Sequence, residues 1–118
     1  MDPVEFDRLV RKALKSLPGA FTDKMKNVAV ITADAPDRGQ RRRFGGGLLG
    51  LYEGIPLPER NSGYSGVMPD KITLFRKNIE AECAVPARIP ALVRHVVMHE
   101  VAHHFGMTDE ELLREGLY

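Results

Sequence analysis

The apolar residues at the start of the chain recur at the three- and four-residue spacing of one helix face. Asp2 precedes them as a predicted N-cap, Pro3 suits the first helical position, and Glu5 completes a capping box. The pattern predicts an amphipathic N-terminal helix that ends at Leu17–Pro18–Gly19. Its apolar stripe consists of Phe6, Leu9, Val10, Ala13, Leu14 and Leu17.

Three later segments have the pattern of strands. Val28–Thr32 is short, apolar and β-branched, which favours a buried strand, and Leu48–Tyr52 can form a second one. Lys71–Arg76 alternates polar and apolar residues, which is the period of a half-buried strand. Turn and loop residues dominate Ile55–Pro58 and Asn61–Gly66, so we expect a connection there.

The segment from Asp34 to Gly47 has no apolar period. It carries four arginines among glycine, proline and aspartate, and it closes on three consecutive glycines. This composition predicts a flexible, solvated loop. The arginines are Arg38, Arg41, Arg42 and Arg43.

The last third of the chain is predicted to be helical. A short helix is expected over Asn78–Cys83, and a longer one runs from Ile89 or Pro90 to Phe105 and stops at Gly106. Thr108 and Glu111 form a second capping box that opens a final helix through Leu112, Leu113 and Leu117. The chain is thus predicted to be one α+β domain over 1–118, with about three strands and helices on one sheet face.

Composition restricts the class of protein. A chain of 118 residues supports one modest core and one site, and a net charge of +1 gives no global field toward nucleic acid or an anionic membrane. Cys83 has no partner for an intramolecular disulfide and is expected to be a buried structural residue in a reducing compartment. No signal peptide or membrane span is apparent, so we expect a cytoplasmic protein.

The candidate chemistry is concentrated in the long helix. All four histidines fall within ten residues, and His99-Glu100-Val101-Ala102-His103 is an H-E-x-x-H pattern. Residues four apart lie on one helix face, so His99 and His103 can bind one Zn²⁺ ion. Glu100 lies about 100° around the helix from His99, where it suits a general base for bound water better than a ligand.

The other two histidines are given different roles. His95 is also four residues from His99, but at 1.5 Å per residue it is about 12 Å from His103, so all three cannot bind one ion. We expect His95 at the helix surface or the rim of a cleft. His104 is expected to be a C-terminal helix residue stabilised by the helix dipole.

A catalytic zinc site needs a third protein ligand. Few residues follow His103, and a sharp turn at Gly106 can bring Asp109 back toward the metal, so Asp109 is the predicted third ligand. An acidic residue in a first helical turn is also favoured by the dipole alone. Glu110, Glu111 and Glu115 therefore stay open as alternatives.

The eleven residues from His99 to Asp109 resemble the motif H-E-x-x-H-x-x-G-x-x-D of the minimal, metzincin-like bacterial family of zincin metallopeptidases. Leu48–Leu57 and Ile72–Phe75 also look like that family. The resemblance implies a compact zincin core and zinc-dependent peptide hydrolysis, with His99, His103 and Asp109 as ligands and Glu100 as base. The Met-turn of larger metzincins is missing, because Met98 and Met107 both precede Asp109.

The predicted function is a zinc metallopeptidase acting on a peptide or protein. An extended substrate is expected to pair with the strand Lys71–Arg76. The sequence does not choose among Tyr64, Tyr118 and His95 for stabilising the oxyanion, and it does not indicate the oligomeric state.

Two other functions are kept as alternatives. One is a zinc-binding interaction module without turnover. The other is a metal-dependent endoribonuclease, for which the arginine segment would suit RNA. Endoribonucleases of that kind resemble H-G-x-x-H-x-x-G-x-D-H, with glycine where this chain has Glu100 and histidine where it has Glu110. Nucleic acid is therefore not an expected partner.

Overall fold

A mixed sheet of three strands forms the centre of the fold in the computed structural model. The structure describes residues 1–23, 25, 27–54 and 70–114, apart from the side chains of residues 20, 109 and 112. The strands are β1 (Val28–Ala33), β2 (Gly50–Glu53) and β3 (Asp70–Phe75), in the order β1-β3-β2. β1 runs parallel to β3, with Val28 opposite Asp70, and β2 runs antiparallel to it, with Gly50 opposite Leu74. This architecture confirms the predicted α+β class.

The central position of β3 corrects two predictions. The alternation in Lys71–Arg76 predicted a half-buried strand, but every residue of β3 except Lys71 is buried. Both of its edges are already paired, one with β1 and one with β2, so an extended substrate cannot add to it. Among the described strands, the edges left for pairing belong to β1 and β2.

The helices that pack on the sheet bury apolar side chains from both ends of the chain. α1 (Pro3–Lys15) begins as predicted, with the Glu5 amide donating to Asp2 Oδ1 at 2.9 Å. α5 (Ile89–His104) crosses α1 and contacts β2 and β3, and a 3₁₀ turn at Pro86–Arg88 precedes it. The fully buried side chains of this core include Phe6, Val10, Ile72, Leu74, Ile79, Val93 and Val101.

The end of α5 has the geometry that its sequence predicts. Gly106 takes the left-handed conformation, with φ +71°. The Gly106 amide donates to the His103 carbonyl at 3.0 Å and the Met107 amide to the Ala102 carbonyl at 2.9 Å. These two bonds are the Schellman pattern, which stops a helix and redirects the chain. α6 (Asp109–Arg114) follows at once, and the Glu111 amide donates to Thr108 Oγ1 at 3.1 Å.

The prediction of a flexible loop over Asp34–Gly47 is wrong, because α3 (Arg38–Phe44) lies within it. Asp37 and Gln40 form a reciprocal capping box, with the Gln40 amide 2.8 Å from Asp37 Oδ1 and the Asp37 amide 2.9 Å from Gln40 Oε1. The helix buries none of its residues, so it shows no apolar period. The Asp-x-x-Gln cap was the one signal in the sequence that could have revealed it.

Two short helices complete the described part of the chain. α2 (Gly19–Thr22) was not predicted, and α4 (Arg76–Glu82) starts two residues before the predicted Asn78–Cys83. Cys83 is half-buried and packs against the core. The turns expected at 55–58 and 61–66, and the end of the final helix at Leu117, lie outside the described residues. No described helix has the length and apolar character needed to cross a bilayer.

Candidate metal centre

α5 brings the two histidines of the H-E-x-x-H pattern together on one face. The rings of His99 and His103 lie with their centroids 4.6 Å apart. One ligand atom from each of His99, Glu100 and His103 lies within 4.8 Å of the others. Two imidazoles and a carboxylate are donor types that zinc accepts in proteins. The one-turn spacing thus places these three side chains where one ion can contact them.

The Glu100 carboxylate is the buried member of this set. Its side chain is 7% exposed, whereas that of His103 is 45% exposed, and Glu100 Oε1 lies 3.1 Å from His103 Nδ1. A buried carboxylate needs such a polar neighbour, because an unpaired charge away from water is strongly unfavourable. Glu100 is therefore held at the junction of the core and the open face of α5.

Gly50 lets β2 approach this carboxylate, and sequence reasoning missed it. A Cβ atom added at Gly50 would stand 2.8 Å from Val96 Cγ1 and 3.1 Å from Glu100 Cγ. Both distances are shorter than carbon atoms tolerate without displacement. Gly50 lies inside the predicted strand Leu48–Tyr52, and a glycine in a strand interior often marks close backbone approach, so the sequence contained this signal.

A groove of about 330 Å³ runs along the metal-binding face of α5. One wall is the chain from Gly47 to Gly50, and the other wall is formed by His95, Val96, His99 and Glu100. Asn78 fixes the first wall, because its side-chain amide donates to the Gly46 and Leu48 carbonyls at 2.8 and 2.7 Å. His95 is exposed and lines the groove, which agrees with the rim position expected for it.

The predicted third ligand stays a prediction. The backbone of Asp109 begins α6 immediately after the turn at Gly106, but its side chain lies outside the described part of the structure. Glu110 and Glu111 are exposed, and Glu115 lies beyond the last described residue. Tyr64 and Tyr118, two of the residues considered for the oxyanion, are also outside the described residues, whereas His95 lies in the groove.

His104 lies at the C-terminal end of α5, as expected, and it is buried. Its side chain is 1% exposed, and its Nδ1 lies 2.9 Å from Oδ2 of Asp70, which is 2% exposed. The Tyr52 hydroxyl donates to the same oxygen at 2.6 Å. The partner that holds His104 is therefore a buried carboxylate on β3, and the helix dipole alone does not describe its environment.

This buried cluster of Tyr52, Asp70 and His104 joins β2, β3 and α5 at one point. Gly54 gives it room, since a Cβ there would stand 2.5 Å from Asp70 Cγ. Because a carboxylate only accepts hydrogen bonds, His104 Nδ1 carries the proton that lies between the two side chains. The cluster fixes the end of the helix at the residue next to His103.

The comparisons with known proteins agree with this geometry. A family model described as zincin-like metallopeptidase matches residues 25–117. A solved structure, a conserved hypothetical protein from T. thermophilus, is similar with a TM-score of 0.60 and 22% sequence identity, over 97% of this chain and 99% of that one. At this identity the likeness shows a shared fold. The search of curated proteins gave no match.

Proposed function

The chain belongs to the family of zincin-like metallopeptidases, and we propose that it hydrolyses peptide bonds with the help of one bound Zn²⁺ ion. The observation that carries this proposal is the cluster of His99, Glu100 and His103, of which His99 and Glu100 line a groove beside a sheet edge. Such a site combines metal donors, a carboxylate and space for an extended chain. Catalytic zinc needs protein ligands and an open position, and a peptide substrate needs a cleft beside the metal.

The residues present fit a zinc ion. His99 and His103 offer imidazole nitrogens from one face of α5, and Asp109 is the proposed third ligand at the turn that follows. Three protein ligands with an open position are typical of catalytic zinc. When bound, the ion would make water more acidic and polarise the carbonyl group under attack.

Glu100 is proposed as the general base. Its carboxylate lines the groove and lies beside the imidazole of His103, so it can accept a proton from a water molecule in the groove. The same carboxylic acid then returns the proton to the leaving amine. Burial suits this exchange, because it keeps bulk water away from the transferred proton.

The substrate is proposed to be a peptide or protein segment that pairs with the outer edge of β2. This edge replaces the strand Lys71–Arg76, which is paired on both sides. No described strand covers the outer edge of β2, and its first residue, Gly50, lines the groove. Backbone pairing of this kind holds a substrate without demanding particular side chains. A cytoplasmic location remains a prediction to be tested.

The decisive variant is Glu100→Gln, which keeps the shape of the side chain and removes its basicity. We expect the zinc content to stay near that of the wild type and the rate of peptide hydrolysis to fall by about 10²–10⁴-fold. Zinc content is measured by metal analysis and turnover with a quenched fluorescent casein substrate. His103→Ala and Asp109→Ala are the companion variants, and both are expected to lose zinc.

The outcomes separate the competing functions. Wild-type turnover in Glu100→Gln would contradict the role of the base, and equal zinc content in wild type, His103→Ala and Asp109→Ala would contradict the ligand set. A zinc-loaded wild type without turnover on any peptide would favour the interaction module. Cleavage of RNA by the zinc-loaded protein would favour the endoribonuclease.

A further inference from the structure

α3 forms a helix although none of its residues is buried in the core. None of the seven residues in Arg38–Phe44 is buried, and the chain stays exposed from Arg41 to Gly47. Helices this short are unstable alone and usually rely on packing of an apolar face. Here the capping box at Asp37 and the turn at Gly45, with φ +87°, define the helix instead. Its exposed side chains are therefore available to a partner.

Those side chains concentrate positive charge. Four of the seven residues are arginine, in a chain whose net charge is only +1. None of these arginines forms an ion pair within the described residues. The Arg43 guanidinium carbon lies 5.2 Å from the centroid of the Phe44 ring. Like charges one turn apart repel each other. A cluster of this kind is stabilised by an anionic partner.

Arg41 connects this charge to the groove. Its Cδ atom lies 3.9 Å from the position that a Cβ on Gly46 would occupy. Gly47, the next residue, begins the groove wall that ends in β2. Asn78 holds this connection by its bonds to Gly46 and Leu48. The aliphatic part of Arg41 thus lies against the segment that leads to the proposed substrate strand.

Arg43 lies on the side of the sheet that faces away from α5. It lines a cavity of about 270 Å³ together with Phe44, Glu53 and Lys71. Side chains alternate between the two faces of a strand. Tyr52 contacts His104 on α5, so Glu53, the next residue, points to the opposite face. α3 and α5 therefore lie on opposite faces of the sheet, one on each side of β2.

A peptide paired with β2 would present its side chains alternately to these two faces. Those on one side would enter the groove at His99 and Glu100, and those on the other side would meet α3. We propose that α3 selects substrates with acidic side chains at the alternate positions, through ion pairs of Arg41 and Arg43 with carboxylates. Guanidinium groups suit this role because they bind carboxylates with two parallel hydrogen bonds. This inference rests on the proposed function, since it names the substrate class of the same groove.

The test measures peptide binding, so it does not depend on turnover. Zinc-loaded Glu100→Gln protein is titrated with a fluorescein-labelled peptide in which Glu alternates with Thr, and the fluorescence anisotropy is recorded. A peptide with Gln in place of Glu is the neutral control. A third peptide of the same composition, with all Glu residues at one end, tests the alternation.

Matched variants test the place of binding. Arg41→Gln/Arg43→Gln removes two charges from α3, and Arg8→Gln/Lys12→Gln removes two exposed charges from α1. Glutamine propagates helices nearly as well as these residues, so circular dichroism should be unchanged. We expect the α3 variant to bind the alternating Glu peptide roughly three- to tenfold more weakly and the α1 variant to bind it like the parent. The difference should shrink as ionic strength rises from about 0.05 to 0.5 M.

Three results would overturn the inference. The first is equal binding of the Glu and Gln peptides, and the second is equal binding of the alternating and the end-loaded Glu peptides. The third is binding of single-stranded RNA through Arg41 and Arg43 that the Glu peptide does not displace. Arginine-dependent binding of the alternating peptide supports the inference even if the wild type cleaves none of the three. Failure of the hydrolytic function is therefore distinguishable from failure of the acidic preference.

Discussion

Two adjacent histidines at the end of α5 each lie beside a carboxylate, one from α5 itself and one from β3, and the two pairs have opposite surroundings. His103 Nδ1 lies 3.1 Å from Glu100 Oε1, and the His103 side chain is 45% exposed. His104 lies 2.9 Å from Asp70, and both side chains are at most 2% exposed. The two pairs have nearly the same separation and the same chemical groups. What differs is access from solvent.

The comparison shows that burial divides the roles of adjacent histidines. The pair of His104 and Asp70 has the Tyr52 hydroxyl as a third member, and both side chains of the pair are shielded from solvent. In the other pair, Glu100 lines a groove and the His103 side chain is exposed. A strand and helix joined by the buried pair hold the open pair in place. We therefore expect the buried pair to contribute stability and the open pair to contribute zinc binding.

The largest expected effect is on stability, in His104→Ala. This substitution leaves the Asp70 carboxylate buried with one donor fewer, which should lower the free energy of unfolding by about 3–5 kcal/mol. His103→Ala should lower the stability of the metal-free protein by less, about 1–2 kcal/mol, because water that enters the exposed space of the imidazole can take its place beside the Glu100 carboxylate. Urea unfolding of the metal-free variants and their zinc content after loading measure the two effects.

The opposite pattern would refute the division of roles. Equal destabilisation by the two alanine substitutions would show that burial does not separate the histidines. Loss of zinc from a folded His104→Ala protein, with zinc retained in His103→Ala, would exchange their roles.

A smaller effect is expected where β2 approaches the open cluster. In Gly50→Ala the new Cβ would stand 2.8 Å from Val96 Cγ1 and 3.1 Å from Glu100 Cγ. Overpacking of this kind typically costs about 1–3 kcal/mol, and displacement of Glu100 should also reduce turnover. Gly47→Ala is the matched control on the same groove wall, because a Cβ at Gly47 would have no atom within 4 Å.

Thermal unfolding and hydrolysis of a casein substrate measure both glycine variants. We expect the losses in Gly50→Ala alone. If Gly47→Ala lost as much activity, the cause would be flexibility of the glycine-rich wall and not the contact with Glu100.

The parts of this site that the sequence predicted depend on local geometry. The pairing of His99 with His103 follows from one helical turn, and the end of α5 follows from Gly106. The partner of His104 depends on which strand lies beneath the helix, and no local period contains that information. The same is true of β3, whose alternation is that of a strand with one exposed face, although every residue of β3 except Lys71 is buried. α3 escaped prediction because a helix without buried residues has no apolar period.

The smallest expected effect compares two hydroxyl groups on neighbouring strands. Tyr52→Phe removes the bond to Asp70 Oδ2 but leaves His104 as a donor, so we expect a loss of about 1 kcal/mol. Thr73→Val removes a buried hydroxyl that has no hydrogen-bond partner among the described residues. Its removal should be neutral or slightly stabilising, because no bond is lost and a desolvated polar group disappears. Urea unfolding measures the free energy of unfolding of both variants. Equal losses of stability would mean that the Tyr52 hydroxyl stabilises the fold only by filling space. The buried cluster would then reduce to the pair of His104 and Asp70.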